Sequence, residues 1–189
     1  MSSGADAKVS IEYDASPDAL FHPEKRPTMF VGRPDVTLPG LAVEAARLAY
    51  LHAESDPAES RRLADALRLA GFAEPAHFAD RSTGAYGYAS LRAGDGLAMV
   101  AFRGTQPDGP KDLLADLALL PTPWAGGHVH SGFGRAAESL ETQVLQWLSI
   151  GAPHRRRLLV CGHSLGAGMA TIFARLVEPT GVLTNSSAR

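Results

Sequence analysis

The sequence predicts an α/β fold, a mixed sheet covered by helices, on three observations. Apolar residues recur at helical spacing in several separate stretches. Two short aromatic or aliphatic runs flank an Asp-Gly pair, which signals a hairpin. A third apolar run, Leu158 to Cys161, is followed at once by Gly162-His163-Ser164-Leu165-Gly166 and then by another helical pattern. Strands interleaved with amphipathic helices imply a sheet with helices packed on it.

The elements follow in order. Residues 1 to about 40 carry Pro17, Pro23, Pro27, Pro34 and Pro39, which deny a long helix, so this stretch is expected to be an extended arm ahead of a single domain over 41–189. Leu41, Ala45, Leu48 and His52 predict a first helix. Asp56-Pro57 opens a second, with Leu63, Leu67 and Ala70 on one face and Gly71 closing it. Ala85–Leu91 and Leu97–Phe102 read as antiparallel strands joined through Ala93-Gly94-Asp95-Gly96. Beyond Arg103-Gly104-Thr105 and a Gly/Pro-rich loop, Lys111–Leu120 reads as a helix stopped by Pro121 and Pro123. Phe133, Ala137, Leu140, Val144 and Trp147 predict the next helix, ended by Gly151 and Pro153. Arg155-Arg156-Arg157 leads into the strand Leu158–Cys161 as a solvated segment, with an anion site as the alternative. Leu165, Met169, Ile172 and Leu176 predict the last helix, up to Pro179.

With 189 residues, 45% of them hydrophobic and 20% charged, the chain fits one globular domain. A formal net charge of −2 gives no electrostatic case for nucleic acid or an anionic membrane as partner. The single cysteine, Cys161, sits in an apolar run and reads as a small buried side chain. Met1 to Asp14 is polar and acidic where a secretory signal needs a basic start and an apolar run of about 7 or more residues, and no stretch approaches the roughly 20 apolar residues of a membrane span. The expectation is a soluble, cytoplasmic protein. Asn185-Ser186-Ser187 matches the glycosylation sequon, which carries meaning only in a secreted chain.

Gly162-His163-Ser164-Leu165-Gly166 fits G-x-S-x-G. In that motif a serine is forced onto a tight turn between a buried strand and a helix, and the flanking glycines allow the two to approach. The bare pentapeptide is weak evidence, and an inert glycine-rich turn is the competing reading. The apolar run before it and the helical pattern after it supply the context that the motif requires.

Three further blocks precede it: Met99-Val100-Ala101-Phe102-Arg103-Gly104-Thr105, Asp112-Leu113-Leu114-Ala115-Asp116-Leu117, and Val129-His130-Ser131-Gly132-Phe133. In this order the four blocks resemble the class 3, or fungal-type, lipase family of α/β-hydrolases. The resemblance covers about Leu97 to Leu176. It implies that Ser164 is the acyl-accepting nucleophile and that Thr105 and the backbone N–H of Leu165 stabilise the oxyanion. Read from spacing alone, Thr105 is equally a plain strand-end residue. The family's lid would fall within Gln106–Leu120, where Leu113, Leu114 and Leu117 face either substrate or core. His128 and His130 share one face if they lie on a strand. Their spacing suits a metal, but no third ligand is evident, and His130 matches a structural block of the family.

The sequence also departs from that family. On this fold the catalytic Asp or Glu and then His follow the serine. From Leu165 to Arg189, however, there is no Asp and no His, and Glu178 is the single acid. His163 adjoins the nucleophile on a diverging turn, while His128, His130 and His154 precede it and would invert the order. The chain therefore reads as a partial α/β-hydrolase lacking the C-terminal strands, with an exposed strand edge expected to favour self-association. The leading function is a serine ester hydrolase acting on small ester or lipid substrates without a cofactor. The alternative is a truncated or degenerate hydrolase domain that does no chemistry and at most binds acyl ligands or a partner. A peptidase, thioesterase or acyltransferase is a third reading, disfavoured by the Phe-Arg-Gly-Thr block.

Overall fold

The computed structural model describes residues 22, 25–31, 36–104, 121–124 and 127–177. Helix α1 (Leu38–Leu48) begins where Thr37 Oγ1 accepts the Gly40 N–H, with Pro39 in the first turn, where its missing N–H costs nothing. Helix α2 (Pro57–Leu69) starts in the same way, Asp56 capping Ala58 N at 2.7 Å. It ends before Gly71, whose φ of 78° is the left-handed conformation that the closing glycine was expected to supply. Ahead of α1, Thr28 and Met29 both donate to the buried carboxylate of Glu44, and Phe30 is buried in the core. This part of the proline-rich stretch is packed against the domain.

The strands are β1 (Ala76–Asp80), β2 (Ala85–Arg92), β3 (Leu97–Phe102) and β6 (Arg157–Gly162), paired in the order β1-β2-β3-β6. Neighbours β1, β2 and β3 run antiparallel, and β6 runs parallel to β3 from Leu97↔Arg157 to Phe102↔Gly162. The sheet is thus mixed, as expected. Between β3 and β6 lie a small hairpin, β4 (Pro121–Trp124) with β5 (Gly127–His130), and the helix α3 (Ser131–Ile150). Helix α4 (Leu165–Val177) follows β6. The hairpin was not anticipated, although His128 and His130 do share a strand face. The helix expected over Lys111–Leu120 and the lid over Gln106–Leu120 lie outside the described residues.

Period-two alternation on β3 and β6 splits the core into two layers. Leu97, Met99, Ala101, Leu159 and Cys161 face α1 and α2, together with Tyr86 and Tyr88 of β2. Ala98, Val100, Phe102, Leu158 and Val160 face α3 and α4, where Leu140, Val144, Met169 and Phe173 meet them. Both strands are covered on both faces and therefore read as unbroken apolar runs. Cys161 is buried as expected, and burial pushes its thiol up to about 12. Among the described residues no helix is long and apolar enough to cross a membrane.

Candidate active site

The site forms where the parallel pair β3–β6 ends. At the end of β6 the chain turns through His163 and Ser164 into α4, and Ser164 takes a φ of 56°. It is the one non-glycine residue with positive φ among those described. Left-handed backbone at a residue bearing a Cβ costs on the order of 1–3 kcal/mol and persists only where its surroundings over-determine it.

Here the surroundings are backbone. A Cβ on Gly162 would run into the Gly166 carbonyl, and one on Gly166 would run into the Phe102 carbonyl at the end of β3. Neither obstacle can swing aside as a side chain would. A Cβ on Gly104 would strike the Tyr50 hydroxyl and lie 3.1 Å from Ser164 Cβ. The three glycines let strand end, turn and helix start close on one another, and the turn is held by Gly166 N→His163 O at 3.0 Å and Ala167 N→Ser164 O at 2.9 Å. One turn further on, Gly168 receives the ring of Phe133, so α3 backs α4.

Ser164 is exposed at the head of α4. Leu165 is the first residue of that helix, and its N–H belongs to the first turn, where no intrahelical acceptor exists. The helix dipole adds partial positive charge at the same point, so negative charge developing beside Ser164 is favoured. The geometry therefore sets Ser164 beside the free N–H of Leu165 at the helix start. Thr105, the other expected oxyanion residue, lies outside the described residues; its neighbour Gly104 rests against the turn.

The histidines occupy other places. His163 Nδ1 bonds to Tyr50 Oη at 2.8 Å, across 113 residues of sequence. His130 Nδ1 accepts from Gly132 N at 3.1 Å, capping α3, and its ring lies tilted against that of Phe133 with centroids 4.7 Å apart. His154 precedes Arg157, at the opposite end of β6 from Ser164 and about 16 Å away along the strand. No side chain among the described residues hydrogen-bonds to the Ser164 hydroxyl, and none of them form a group of three or more metal-ligating side chains. Glu178 lies outside the described residues.

Sequence reasoning missed the rim that fixes the end of β3. Arg103 donates to Glu54 at 2.6 Å and packs over the Tyr86 ring at 4.7 Å, while its N–H bonds to Tyr86 O. Tyr86 in turn bonds to His77 Nδ1 at 2.9 Å, and burial first of all pushes the His77 pKa down. Phe-Arg-Gly is visible in the sequence, but partners some 50 residues upstream are not.

Residues 99–189 match the model of the class 3 lipase family. This region belongs to that family. Its fold is shared with solved lipases at low identity, which is the α/β-hydrolase arrangement that the sequence predicted. A triacylglycerol lipase with a serine protease triad as its catalytic centre is 20% identical with a TM-score of 0.51, over 64% of this chain and 46% of its own. A lipase from Rhizopus microsporus var. chinensis is 18% identical with a TM-score of 0.55, over 72% and 48%. The mono- and diacylglycerol lipase of Aspergillus oryzae is 19% identical with a TM-score of 0.50, over 65% and 47%. The class 3 lipase region and its leading elements thus span about half the length of these solved lipases. No curated protein sequence gives a significant match.

Proposed function

We propose that this chain provides the nucleophile half of a serine ester hydrolase of the class 3 lipase type. One observation carries the reading: Ser164 is held in left-handed backbone, on a turn whose flanking glycines are dictated by contacts with backbone carbonyls. A fold gains nothing from a serine at such a position, where glycine would be unstrained. A nucleophile gains an exposed hydroxyl above the sheet, at the positive end of a helix.

In the reaction, Ser164 Oγ attacks the carbonyl carbon of an acyl ester. The carbonyl oxygen becomes an oxyanion facing the Leu165 N–H, with Thr105 as the second donor by family resemblance. Collapse expels the alcohol and leaves an acyl-serine, which water then cleaves to the acid and free serine. A base must take the serine proton in the first half and the water proton in the second. The substrate class is a carboxylic ester or acylglycerol, and no cofactor takes part.

A second reading keeps the fold and drops the chemistry. In that reading the domain binds acyl ligands or a partner without turning over ester. Hydrolysis of a short p-nitrophenyl ester by the chain beside its Ser164→Ala variant separates the two. Turnover that disappears with Ser164 supports the hydrolase, whereas equal background rates overturn it in favour of the binding domain.

A further inference from the structure

Tyr50 stands just past α1, and its side chain crosses to the far end of the β3–β6 pair. The residue is 5% exposed, and its ring lies tilted beside that of His163 with centroids 5.9 Å apart. Its hydroxyl touches two parts of the site at once, the second of them next to Ser164. It bonds to His163 Nδ1 at 2.8 Å, it faces the backbone of Gly104, and through Gly104 it adjoins Ser164 Cβ.

From this juxtaposition we propose that Tyr50 is a positioning residue, whose single hydroxyl clasps the nucleophile turn to the end of β3 and so holds Ser164 and the Leu165 N–H in place against the strand end. The proposal rests on the ester hydrolase reading. Ser164 and Leu165 follow His163, which the phenol touches, by one residue and by two. A shift of the turn against the strand moves the nucleophile and the Leu165 N–H off the position where the carbonyl must sit, and preorganised groups are effective only in fixed geometry.

The chemistry of the phenol fits a clasp. Burial first of all raises its pKa, partly offset by the Gly104 backbone and the Arg103 charge, so the hydroxyl keeps its proton. In the proposed clasp that proton goes to His163 Nδ1, 2.8 Å away. His163 is thereby held as the Nε2–H tautomer, with the nitrogen nearest its backbone committed to Tyr50. This accounts for a histidine beside the nucleophile that does not serve as its base: its bond points across the site to α1.

The test uses the full chain with Tyr50→Phe, His163→Phe and the double variant. Two readouts are taken: the nitrogen NMR shifts of the His163 ring, and the rate of Ser164 phosphonylation by a p-nitrophenyl alkylphosphonate, divided into affinity and maximal rate. In the parent chain Nδ1 is expected to be the unprotonated, hydrogen-bonded nitrogen, and Tyr50→Phe to release it to a mixture of tautomers. Each single variant is expected to lower the maximal phosphonylation rate by about tenfold with affinity unchanged, and the double variant to lower it no further, because the two residues act as one unit. His163 is exposed, so its variant keeps the test open should Tyr50→Phe fold poorly. A protonated Nδ1 in the parent chain, or losses that add in the double variant, would overturn the clasp. Labelling that survives Ser164→Ala would instead sink the ester hydrolase reading, and the NMR shifts would then decide the Tyr50–His163 bond alone.

Discussion

The two ends of the β3–β6 ladder make the same demand on the backbone and answer it with different residues. At the first end the chain turns from β2 into β3, and Gly96 takes a φ of 69°. Its carbonyl accepts from both Arg156 N and Arg157 N, and Asp95 beside it bonds to Arg92 and Leu97. At the second end a residue with φ of 56° is also required, and there the chain places Ser164. Glycine at the first end is what a fold chooses when geometry alone matters. Serine at the second keeps a strained conformation that a glycine would relieve, so the hydroxyl must be what the position is for. Strain held in place by rigid backbone contacts is evidence of function here because the unstrained solution is visible in the same two strands.

The largest expected effect comes from crowding the second end. Gly166→Ala puts a Cβ into the Phe102 carbonyl and 2.9 Å from the Arg103 carbonyl carbon. Strand backbone cannot yield, so the cost is about 3 kcal/mol, read as a lowered midpoint in chemical unfolding. A loss under about 1 kcal/mol would mean that the turn shifts freely, and the over-determination argued for Ser164 would fall with it.

Crowding the first end is milder. Gly96→Ala must adopt left-handed backbone, meets the flexible Arg156 side chain at 2.8 Å and lies 3.0 Å from the His154 carbonyl oxygen, a looser backbone contact than the one at Gly166. We expect a cost of about 1–2 kcal/mol, with Ser164 phosphonylation unchanged in the folded protein. Altered reactivity would mean that the two ends are mechanically coupled along the strands.

Ser164→Gly tests the comparison from the other side. Relief of the left-handed conformation, less the greater unfolded-state entropy of glycine, should leave a gain of about 0.5–1 kcal/mol, while Ser164→Ala should give none. A glycine variant that loses stability would show that the serine side chain makes contacts worth more than the strain.

The same two ends show what the sequence could reveal. The Asp-Gly turn, the short aromatic or aliphatic runs on either side of it and the strand-to-helix turn at the elbow pentapeptide are local patterns, and all three lie where the sequence placed them. β1 was missed because Phe78 is its one fully buried side chain, and an edge strand needs only one face. Pro121 and Pro123 were read as helix stops, yet in a two-stranded sheet each strand is an edge and tolerates proline. The Tyr50–His163 bond and the Arg103–Glu54 pair join residues 113 and 49 apart, and nothing local marks them. Cys161 was legible because its run alternates between two covered faces.

The smallest effect sharpens the first end alone. Asp95 bonds to Arg92 and pairs with Arg157, tying the turn to both β2 and β6, and the Arg92 hydrogen bond above all lowers its carboxyl from 3.8 to about 2. Because the folded-state pKa lies below the unfolded value, the stabilisation is present above 3.8 and is lost as pH falls towards about 2. The group is largely solvated, so screening limits it to about 0.5–1 kcal/mol at neutral pH. Unfolding curves of the chain and Asp95→Asn should therefore differ by that amount near neutrality, with about half the difference gone by pH 3 and a smaller gap in high salt. A gap independent of pH and salt would assign the role of Asp95 to its hydrogen bond with Leu97 N, leaving turn geometry, without charge, to hold the relaxed end of the ladder.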